Sequence, residues 1–151
     1  MTTMQSVSRI LVIDDHTLIR SGIRSLLESA NIEVVGEAGD ATDAARLVAE
    51  LEPDVVLMDV GMPKLNGIEG VRQIIAAVPT ARVLMLSMHA DDQYVLESLR
   101  AGAAGYVLKD AAFSELIEAI QTVAAGKTYL APELSELVTT DYIRRGRGRA
   151  E

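Results

Sequence analysis

The sequence predicts an α/β fold in which a parallel sheet is covered by helices on both faces. Short, β-branched apolar runs recur along the chain, and longer segments with helical periodicity separate them. Each apolar run is too short and too rich in branched side chains to favour a helix. Five such strand–helix units can be counted, so we expect a five-stranded sheet.

The predicted strands and helices alternate along the whole chain. The strands are expected at residues 10–13, 32–35, 55–58, 83–86 and 104–108. The helices, each with apolar residues three or four positions apart, are expected at 18–27, 41–51, 68–78, 94–101 and 113–124. Gly102 and Gly126 stand where glycines that end helices belong.

A different segment follows Gly126. Pro132 suits the first turn of a sixth helix, a stripe of apolar residues follows it, and Gly146 is placed to end it. We therefore predict one compact domain over residues 8–126, with a linker helix and a basic tail over residues 127–151. The arginine- and glycine-rich tail is interpreted as solvated linker rather than as a nucleic-acid arm.

Composition and charge exclude several classes of function. The 151 residues are 49% hydrophobic and 24% charged, which is typical of one soluble globular domain. The absence of cysteine excludes disulfides and a zinc ribbon and fits a cytoplasmic location. The apolar run at residues 10–13 is too short for a signal peptide or a membrane span.

The charge distribution argues against direct nucleic-acid binding. The formal net charge is −8, but residues 144–151 carry +3 and the remainder therefore −11. An acidic body repels nucleic acid, because binding depends on basic side chains that neutralise phosphates.

Polar residues stand where the predicted strands end. The first strand runs into Asp14 and Asp15, the third into Asp59, the fourth into Ser87 and the fifth into Lys109. In an open parallel sheet the loops after the strands form one crevice, where ligands bind. We therefore expect three carboxylates, one hydroxyl and one ammonium group to meet.

Three crowded carboxylates repel one another unless a cation neutralises them or some stay protonated. Mg²⁺ favours oxygen ligands and is often held by one or two carboxylates together with phosphate. An aspartate nucleophile beside a metal ion and a lysine is a coherent set for phosphoryl transfer.

Taken singly, each of these residues also has a purely structural interpretation. Asp14 or Asp15 would serve as a helix cap, Lys109 as a solvated side chain, and Tyr106 as a half-buried core aromatic. Asp59 would begin a polar loop. Their coincidence at the strand ends favours the functional interpretation.

The set resembles the receiver family of two-component signalling. The resemblance rests on Asp14-Asp15, on Val56-Leu57-Met58-Asp59 with Met62-Pro63 and Gly67, on Leu86-Ser87, and on Gly105-Tyr106 with Lys109. It implies a flavodoxin-like, doubly wound (βα)5 sheet in the strand order 2-1-3-4-5, in which the first strand is central.

The resemblance also implies a role for each residue of the set. Asp59 would be phosphorylated by a sensor histidine kinase. Mg²⁺ would be bound directly by Asp15, Asp59 and the carbonyl of Gly61, and Asp14 would hold the ion through a water molecule. Lys109 and Ser87 would bind the phosphoryl oxygens, and Tyr106 would rotate into the space that Ser87 leaves. The face formed by helix four, strand five and helix five would then change and mediate docking or homodimerisation.

Three positions depart from the pattern of many receivers. Gly61 lacks a side chain two residues after the acceptor, and His89 stands two residues after Ser87, so either position would tune dephosphorylation. For His89, an exposed loop histidine without such a role is the simpler interpretation. Asp110 follows Lys109 where many receivers have proline, so the cis peptide of those relatives is not assumed here and the geometry of this peptide stays open.

The segment after the fifth helix is similar to that of NarL/FixJ-type regulators, whose output is a LuxR-like helix-turn-helix. Too few residues remain here for such a domain, so we expect a shortened form of a transcriptional regulator that would contact DNA only through the missing domain. The chain would not be an enzyme beyond its own phosphorylation and dephosphorylation.

Three other functions compete with this interpretation. An aspartyl-phosphate phosphatase would need a second aspartate where Gly61 stands, and a dinucleotide-binding domain would need glycines where Asp14 and Asp15 stand. A receiver-like interaction module that signals without phosphorylation remains the open alternative.

Overall fold

The computed structural model describes residues 8–60, 66–88 and 92–150. Strands and helices alternate through these residues as the sequence predicts. The elements are β1 (Arg9–Ile13), α1 (Thr17–Ser29), β2 (Glu33–Ala38), α2 (Ala44–Leu51), β3 (Val55–Asp59), α3 (Gly67–Ala77), β4 (Val83–Ser87), α4 (Asp92–Arg100), β5 (Gly105–Leu108), α5 (Phe113–Ala124), β6 (Tyr129–Leu130) and α6 (Pro132–Ala150).

The strands form one parallel sheet in the order β2-β1-β3-β4-β5-β6. The predicted order of the first five strands is confirmed. The sheet has in addition a two-residue sixth strand, in which Tyr129 pairs with Gly105 and Leu130 with Tyr106. Two residues are too few for a recognisable apolar run, so periodicity did not reveal this strand.

Each face of the sheet carries its own buried core. Successive residues of a strand point to opposite faces, so Leu11 and Ile13 belong to one cluster while Ile10 and Val12 belong to the other. The first cluster packs against α2, α3, α4 and α6, and the second packs against α1 and α5. The prediction of a sheet covered on both faces is confirmed.

Among the first five strands and helices, two predicted boundaries differ from the structure by three residues, and the others differ by two at most. Strand β2 continues to Ala38, beyond the predicted end at residue 35, because it pairs with β1 as far as Ile13. It lies at the edge of the sheet, where the polar residue Glu37 is partly exposed, so the apolar run ends before the strand does. Helix α2 begins at Ala44 rather than at residue 41. The Asp40 carboxylate accepts the backbone N–H of Thr42 at 2.9 Å, and this local turn competes with helix formation.

The predicted helix-ending glycines are confirmed. Gly102 and Gly126 have φ of +114° and +88°, which glycine adopts without a steric penalty. After each, an N–H closes the helix end: Ala103 donates to the carbonyl of Ser98 at 3.0 Å, and Lys127 donates to that of Thr122 at 3.1 Å.

The residues after Gly126 pack against the sheet. Ala131 and Leu134 are buried in the first core cluster, and Leu137 and Val138 pack against it. Helix α6 runs through Gly146 to Ala150 instead of ending at that glycine. A glycine inside a helix only weakens it, by about 1 kcal/mol, and does not end it by itself. The domain boundary at residue 126 stays a prediction.

No helix within the described ranges has both the length and the apolar character that crossing a bilayer requires.

Gly67 lets helix α3 begin directly against strand β3. Its N–H donates to the carbonyl of Val60 at 2.9 Å. A Cβ at this position would stand 2.1 Å from the backbone oxygen of Asp59. Asn66 caps the helix, since its side-chain oxygen accepts the N–H of Glu69 at 2.9 Å. Backbone contact thus fixes the position of Asp59 from the α3 side.

We expect Gly67→Ala to lower the free energy of unfolding by about 1–3 kcal/mol, because the new methyl group would force the backbones of α3 and β3 apart. Urea denaturation measures the effect. Gly22→Ala is the matched control: nothing lies within 4 Å of a Cβ built there, so this change in α1 should stabilise by about 0.5–1 kcal/mol. Equal effects of the two changes would contradict the prediction.

Candidate functional site

Two aspartates lie buried at the carboxyl edge of the sheet. Asp14 directly follows β1 and is 1% exposed, while Asp59 is the last residue of β3 and is 4% exposed. The adjacent strands β1 and β3 are parallel and in register, with Ile13 paired to Met58, so both carboxylates emerge at the same edge. Asp15, in the loop between β1 and α1, is partly exposed.

The Lys109 side chain joins the two buried aspartates. Its Nζ lies 2.8 Å from Oδ2 of Asp14 and 3.3 Å from Oδ2 of Asp59. The side chain is 7% exposed, which does not fit a solvated lysine. Lys109 follows β5, whereas Asp14 follows β1 and Asp59 ends β3. The ammonium group after one strand therefore compensates the negative charge of carboxylates at the ends of two others.

The charges of the site favour a divalent cation. Three carboxylates and one ammonium group carry a formal net charge of −2. Ligand atoms of Asp14, Asp15, His16 and Asp59 lie within 4.8 Å of one another, which is close enough to share one ion. Carboxylate oxygens are the ligands that hard cations such as Mg²⁺ prefer, so the donor set fits the predicted metal.

The surroundings of Asp14 keep its carboxyl group ionised. Burial by itself raises the pKa of Asp14. The opposing effects come from Lys109, through its hydrogen bond and its charge, and from the hydrogen bonds of His16. Together they outweigh burial and hold the pKa of Asp14 below its ordinary value of 3.8. The backbone N–H of His16 donates to Oδ1 of Asp14 at 2.9 Å. Asp14 therefore accepts hydrogen bonds as a fixed anion rather than capping α1.

His16 is a member of the site that the sequence pattern did not single out. Its Nδ1 lies 3.1 Å from Oδ1 of Asp14, 3.1 Å from Oδ1 of Asp15 and 3.9 Å from Oδ2 of Asp59. The signal for it is its position directly after the two acidic residues at the end of β1.

Ser87 and Tyr106 lie on β4 and β5, the strands that follow β3 in the sheet. Ser87 ends β4 and is 2% exposed, and its carbonyl accepts the N–H of Lys109 at 2.8 Å. Tyr106 is fully buried, not half-buried, in the core cluster that includes Val95 of α4. It pairs with Met85 on one side and with Leu130 of β6 on the other.

Two predicted site residues, Gly61 and His89, lie outside the described residues.

The peptide bond between Lys109 and Asp110 is trans, as are the other described peptide bonds. The structure thus brings together Asp14, Asp15, Asp59 and Lys109, and places Ser87 beside them at the end of the neighbouring strand.

Comparisons with known proteins agree with this geometry. Residues 10–121 match the family described as response regulator receiver domain. The transcriptional regulatory protein DegU of Brevibacillus brevis is 42% identical over 137 residues, which are 90% of this chain and 58% of DegU. The response regulator GacA of Pseudomonas aeruginosa is 40% identical over 129 residues, 85% of this chain and 60% of GacA. The chain therefore spans about three fifths of the length of these relatives.

Solved structures with the same fold include a two-component response regulator of the LuxR family from Aurantimonas sp. SI85-9A1. It is 37% identical, with a TM-score of 0.84, covering 91% of this chain and 99% of that one. The signal receiver domain of the putative response regulator NarL from Mycobacterium tuberculosis is 36% identical, with a TM-score of 0.75, covering 82% of this chain and 100% of that one.

We expect Lys109→Met to raise the pKa of Asp14, because burial remains while the opposing hydrogen bond and charge are lost. Carboxyl ¹³C NMR titration measures it, and the wild-type midpoint should lie below 3.8. Since the folded-state pKa is depressed, the stability that Asp14 contributes is present above the unfolded-state pKa and is lost as the pH falls through the folded-state value. Lys109→Met should weaken this acid dependence.

Lys127→Met is the control for this titration, because Lys127 is an exposed lysine that lies after the end of α5. It should leave the Asp14 titration unchanged. An Asp14 midpoint that Lys109→Met leaves in place, or moves downward, would contradict the assignment of Lys109 as the counter-ion.

Proposed function

The chain belongs to the response regulator receiver domain family, and we propose that Asp59 is the residue that accepts a phosphoryl group from a sensor histidine kinase. The family resemblance seen in the sequence is confirmed, and the similar proteins include regulators of the LuxR and NarL type. One observation carries the proposal for Asp59: its buried carboxylate ends β3, an interior strand of the sheet, 3.3 Å from the Lys109 ammonium and beside two further aspartates.

In the proposed reaction, a carboxylate oxygen of Asp59 attacks the phosphorus atom of a phosphohistidine on the kinase. An oxygen–phosphorus bond forms while the phosphorus–nitrogen bond breaks, and the leaving imidazole takes up a proton from solvent. The aspartate exchanges one carboxylate charge for a phosphoryl group that carries more negative charge. Lys109 is close enough to pair with the new phosphoryl oxygens, which offsets that charge.

Mg²⁺ is the proposed cofactor. Asp15 and Asp59 would bind it directly and Asp14 through water, with the carbonyl of Gly61 as a further ligand. When bound, the ion supplies positive charge that reduces repulsion between the carboxylate and the incoming phosphoryl group. The oxygen donors and the net charge of −2 at the site support this choice over a monovalent cation.

The proposed switch links Asp59 to the face formed by α4, β5 and α5. The Ser87 side chain would move toward the phosphoryl group and donate its hydroxyl to a phosphoryl oxygen. Tyr106 would then rotate into the space that Ser87 leaves. The backbone contact between Ser87 and Lys109 and the packing of Tyr106 near Val95 of α4 support this route. Phosphorylation would shift an existing equilibrium between two arrangements of that face.

The relatives suggest the setting of this chain in a longer protein. DegU is a transcriptional regulatory protein that is longer than this chain. We propose that the chain controls transcription through a DNA-binding output domain beyond residues 127–151, forms homodimers in the active state and acts in the cytoplasm. Its own acidic surface argues against direct DNA contact, and His89 and Gly61 would tune the lifetime of the phosphoryl group.

Incubation with Mg²⁺ and a small phosphodonor should add one phosphoryl group to the protein, as measured by intact-mass spectrometry. Asp59→Asn should abolish the gain, because an amide is a far weaker nucleophile than a carboxylate. Asp43→Asn is the matched control, since Asp43 is an exposed aspartate at the start of α2 that should not affect the reaction.

An unchanged mass of the wild-type protein with a competent donor would exclude this function. It would favour the alternative of an interaction module that signals without phosphorylation.

Ser87→Ala should still allow the mass gain while weakening the switch, because the hydroxyl that would follow the phosphoryl group is missing. Amide NMR shifts between the free protein and its complex with a phosphoryl mimic provide the measurement. We expect large shifts at Tyr106 and along β5 in the wild-type protein and shifts reduced by about half or more in the variant. Ser25→Ala, on the exposed side of α1, should behave as wild type. Equal shifts in the two variants would refute the role of Ser87.

A further inference from the structure

His16 stands at the N-cap of α1 but does not cap the helix. Its side chain makes no capping hydrogen bond, although this position commonly provides one from serine, threonine, aspartate or asparagine. The imidazole ring instead points its Nδ1 at the carboxylates of Asp14 and Asp15. Stabilisation of the helix end therefore does not account for the orientation of this ring.

Two of the three distances around Nδ1 match those between atoms that share one metal ion. Zinc–oxygen and zinc–nitrogen bonds of about 2.0–2.2 Å place neighbouring ligand atoms about 3.0–3.6 Å apart. Nδ1 lies 3.1 Å from one oxygen each of Asp14 and Asp15 and 3.9 Å from an oxygen of Asp59. The imidazole nitrogen and two carboxylate oxygens thus lie at the spacing of metal ligands, and the Asp59 oxygen lies slightly farther away.

We propose that His16 is a nitrogen ligand that gives this acidic site a second, zinc-binding mode beside the magnesium mode. Mg²⁺ prefers oxygen ligands and gains little from imidazole, whereas Zn²⁺ binds imidazole strongly. In the zinc mode, His16 binds the ion together with the carboxylates. In the magnesium mode, the ring turns away, which its 57% exposure allows.

The proposal has a regulatory consequence and rests in that respect on the proposed function. Both ions use the Asp59 carboxylate, so Zn²⁺ competes with Mg²⁺ for the site. With His16 completing a closed set of protein ligands, the zinc ion has no open position for a phosphoryl oxygen. His16 is then the residue that decides how strongly a borderline transition metal opposes phosphorylation.

A simpler role for His16 is hydrogen bonding alone. An Nδ1–H group would donate to Asp14 across the same 3.1 Å, and the ring would then position the carboxylates for any cation. Substitution would in that case change Mg²⁺ and Zn²⁺ affinities by similar factors. The zinc mode instead requires that substitution of His16 weakens Zn²⁺ binding much more than Mg²⁺ binding.

The first experiment measures Zn²⁺ and Mg²⁺ affinities of the full chain by calorimetric titration at fixed neutral pH. We expect His16→Ala to weaken Zn²⁺ binding by at least about 10- to 100-fold while Mg²⁺ affinity changes by less than about threefold. Removal of a group that only supports a zinc ligand already costs about 10- to 100-fold in affinity. Retained Mg²⁺ affinity also shows that the carboxylates remain in place. Equal losses for both ions, or no loss for Zn²⁺, would overturn the proposal.

His16→Asn separates ligation from hydrogen bonding. The asparagine amide still donates a hydrogen bond to Asp14 and suits the N-cap position, but it offers no imidazole nitrogen. We expect this variant to bind Zn²⁺ as weakly as His16→Ala. Recovery of wild-type Zn²⁺ affinity in His16→Asn would show that a hydrogen-bond donor is sufficient and would overturn the proposal.

A spectroscopic measurement identifies the nitrogen directly. In protein with ¹⁵N-labelled histidine, Zn²⁺ should move the Nδ1 resonance of His16 to the range of a metal-bound nitrogen, and Mg²⁺ should not. His89→Ala removes the other histidine of the chain and should leave this signal in place. Loss of the signal in His89→Ala, or its persistence in His16→Ala, would overturn the proposal.

The two failures are distinguishable. A protein that gains no phosphoryl group but still requires His16 for Zn²⁺ contradicts only the proposed function. A protein that is phosphorylated with Mg²⁺ but binds Zn²⁺ equally well without His16 contradicts only the zinc mode.

Discussion

The site depends on the balance of charge at one edge of the parallel sheet. Strands β1 and β3 deliver Asp14 and Asp59 to the same place, and both side chains are almost completely buried. Two buried carboxylates destabilise a fold unless cations or hydrogen bonds compensate them. The Lys109 ammonium, within 3.3 Å of both, supplies part of this compensation. The remaining negative charge favours the binding of a divalent cation.

The surrounding backbone holds these groups at fixed positions. Helix α3 begins so close to β3 that only a glycine, Gly67, fits beside the carbonyl of Asp59. On the other side, the N–H of Lys109 donates to the carbonyl of Ser87, which ties the lysine to the end of β4. A change in charge on Asp59 therefore acts on groups that belong to three strands. This connection gives a physical path from Asp59 to Tyr106 and to the segment of β6 and α6 that packs beside it.

Lys109 and His16 contribute to the same cluster in different ways. The lysine is buried, and its ammonium group lies within 3.3 Å of both Asp14 and Asp59, where it compensates their charge. The histidine is exposed over more than half of its side chain, and imidazole nitrogens are common metal ligands. Lys109 thus compensates the charge of the carboxylates, whereas His16 is the residue through which the proposed site distinguishes Zn²⁺ from Mg²⁺.

The sequence by itself determined the order of the first five strands and helices, the two-sided sheet and the residues at the strand ends, because hydrophobic periodicity and chain order are local properties. It also indicated Asp14, Asp59 and Lys109 as one site, since parallel strands end at the same edge. Only the tertiary structure decided which groups touch: that Lys109 bridges Asp14 and Asp59, that the His16 ring turns from its helix to the acids, and that Tyr129 and Leu130 extend the sheet. These features depend on distances between residues far apart in the chain or on ring orientation, and neither property has a periodic signature in the sequence.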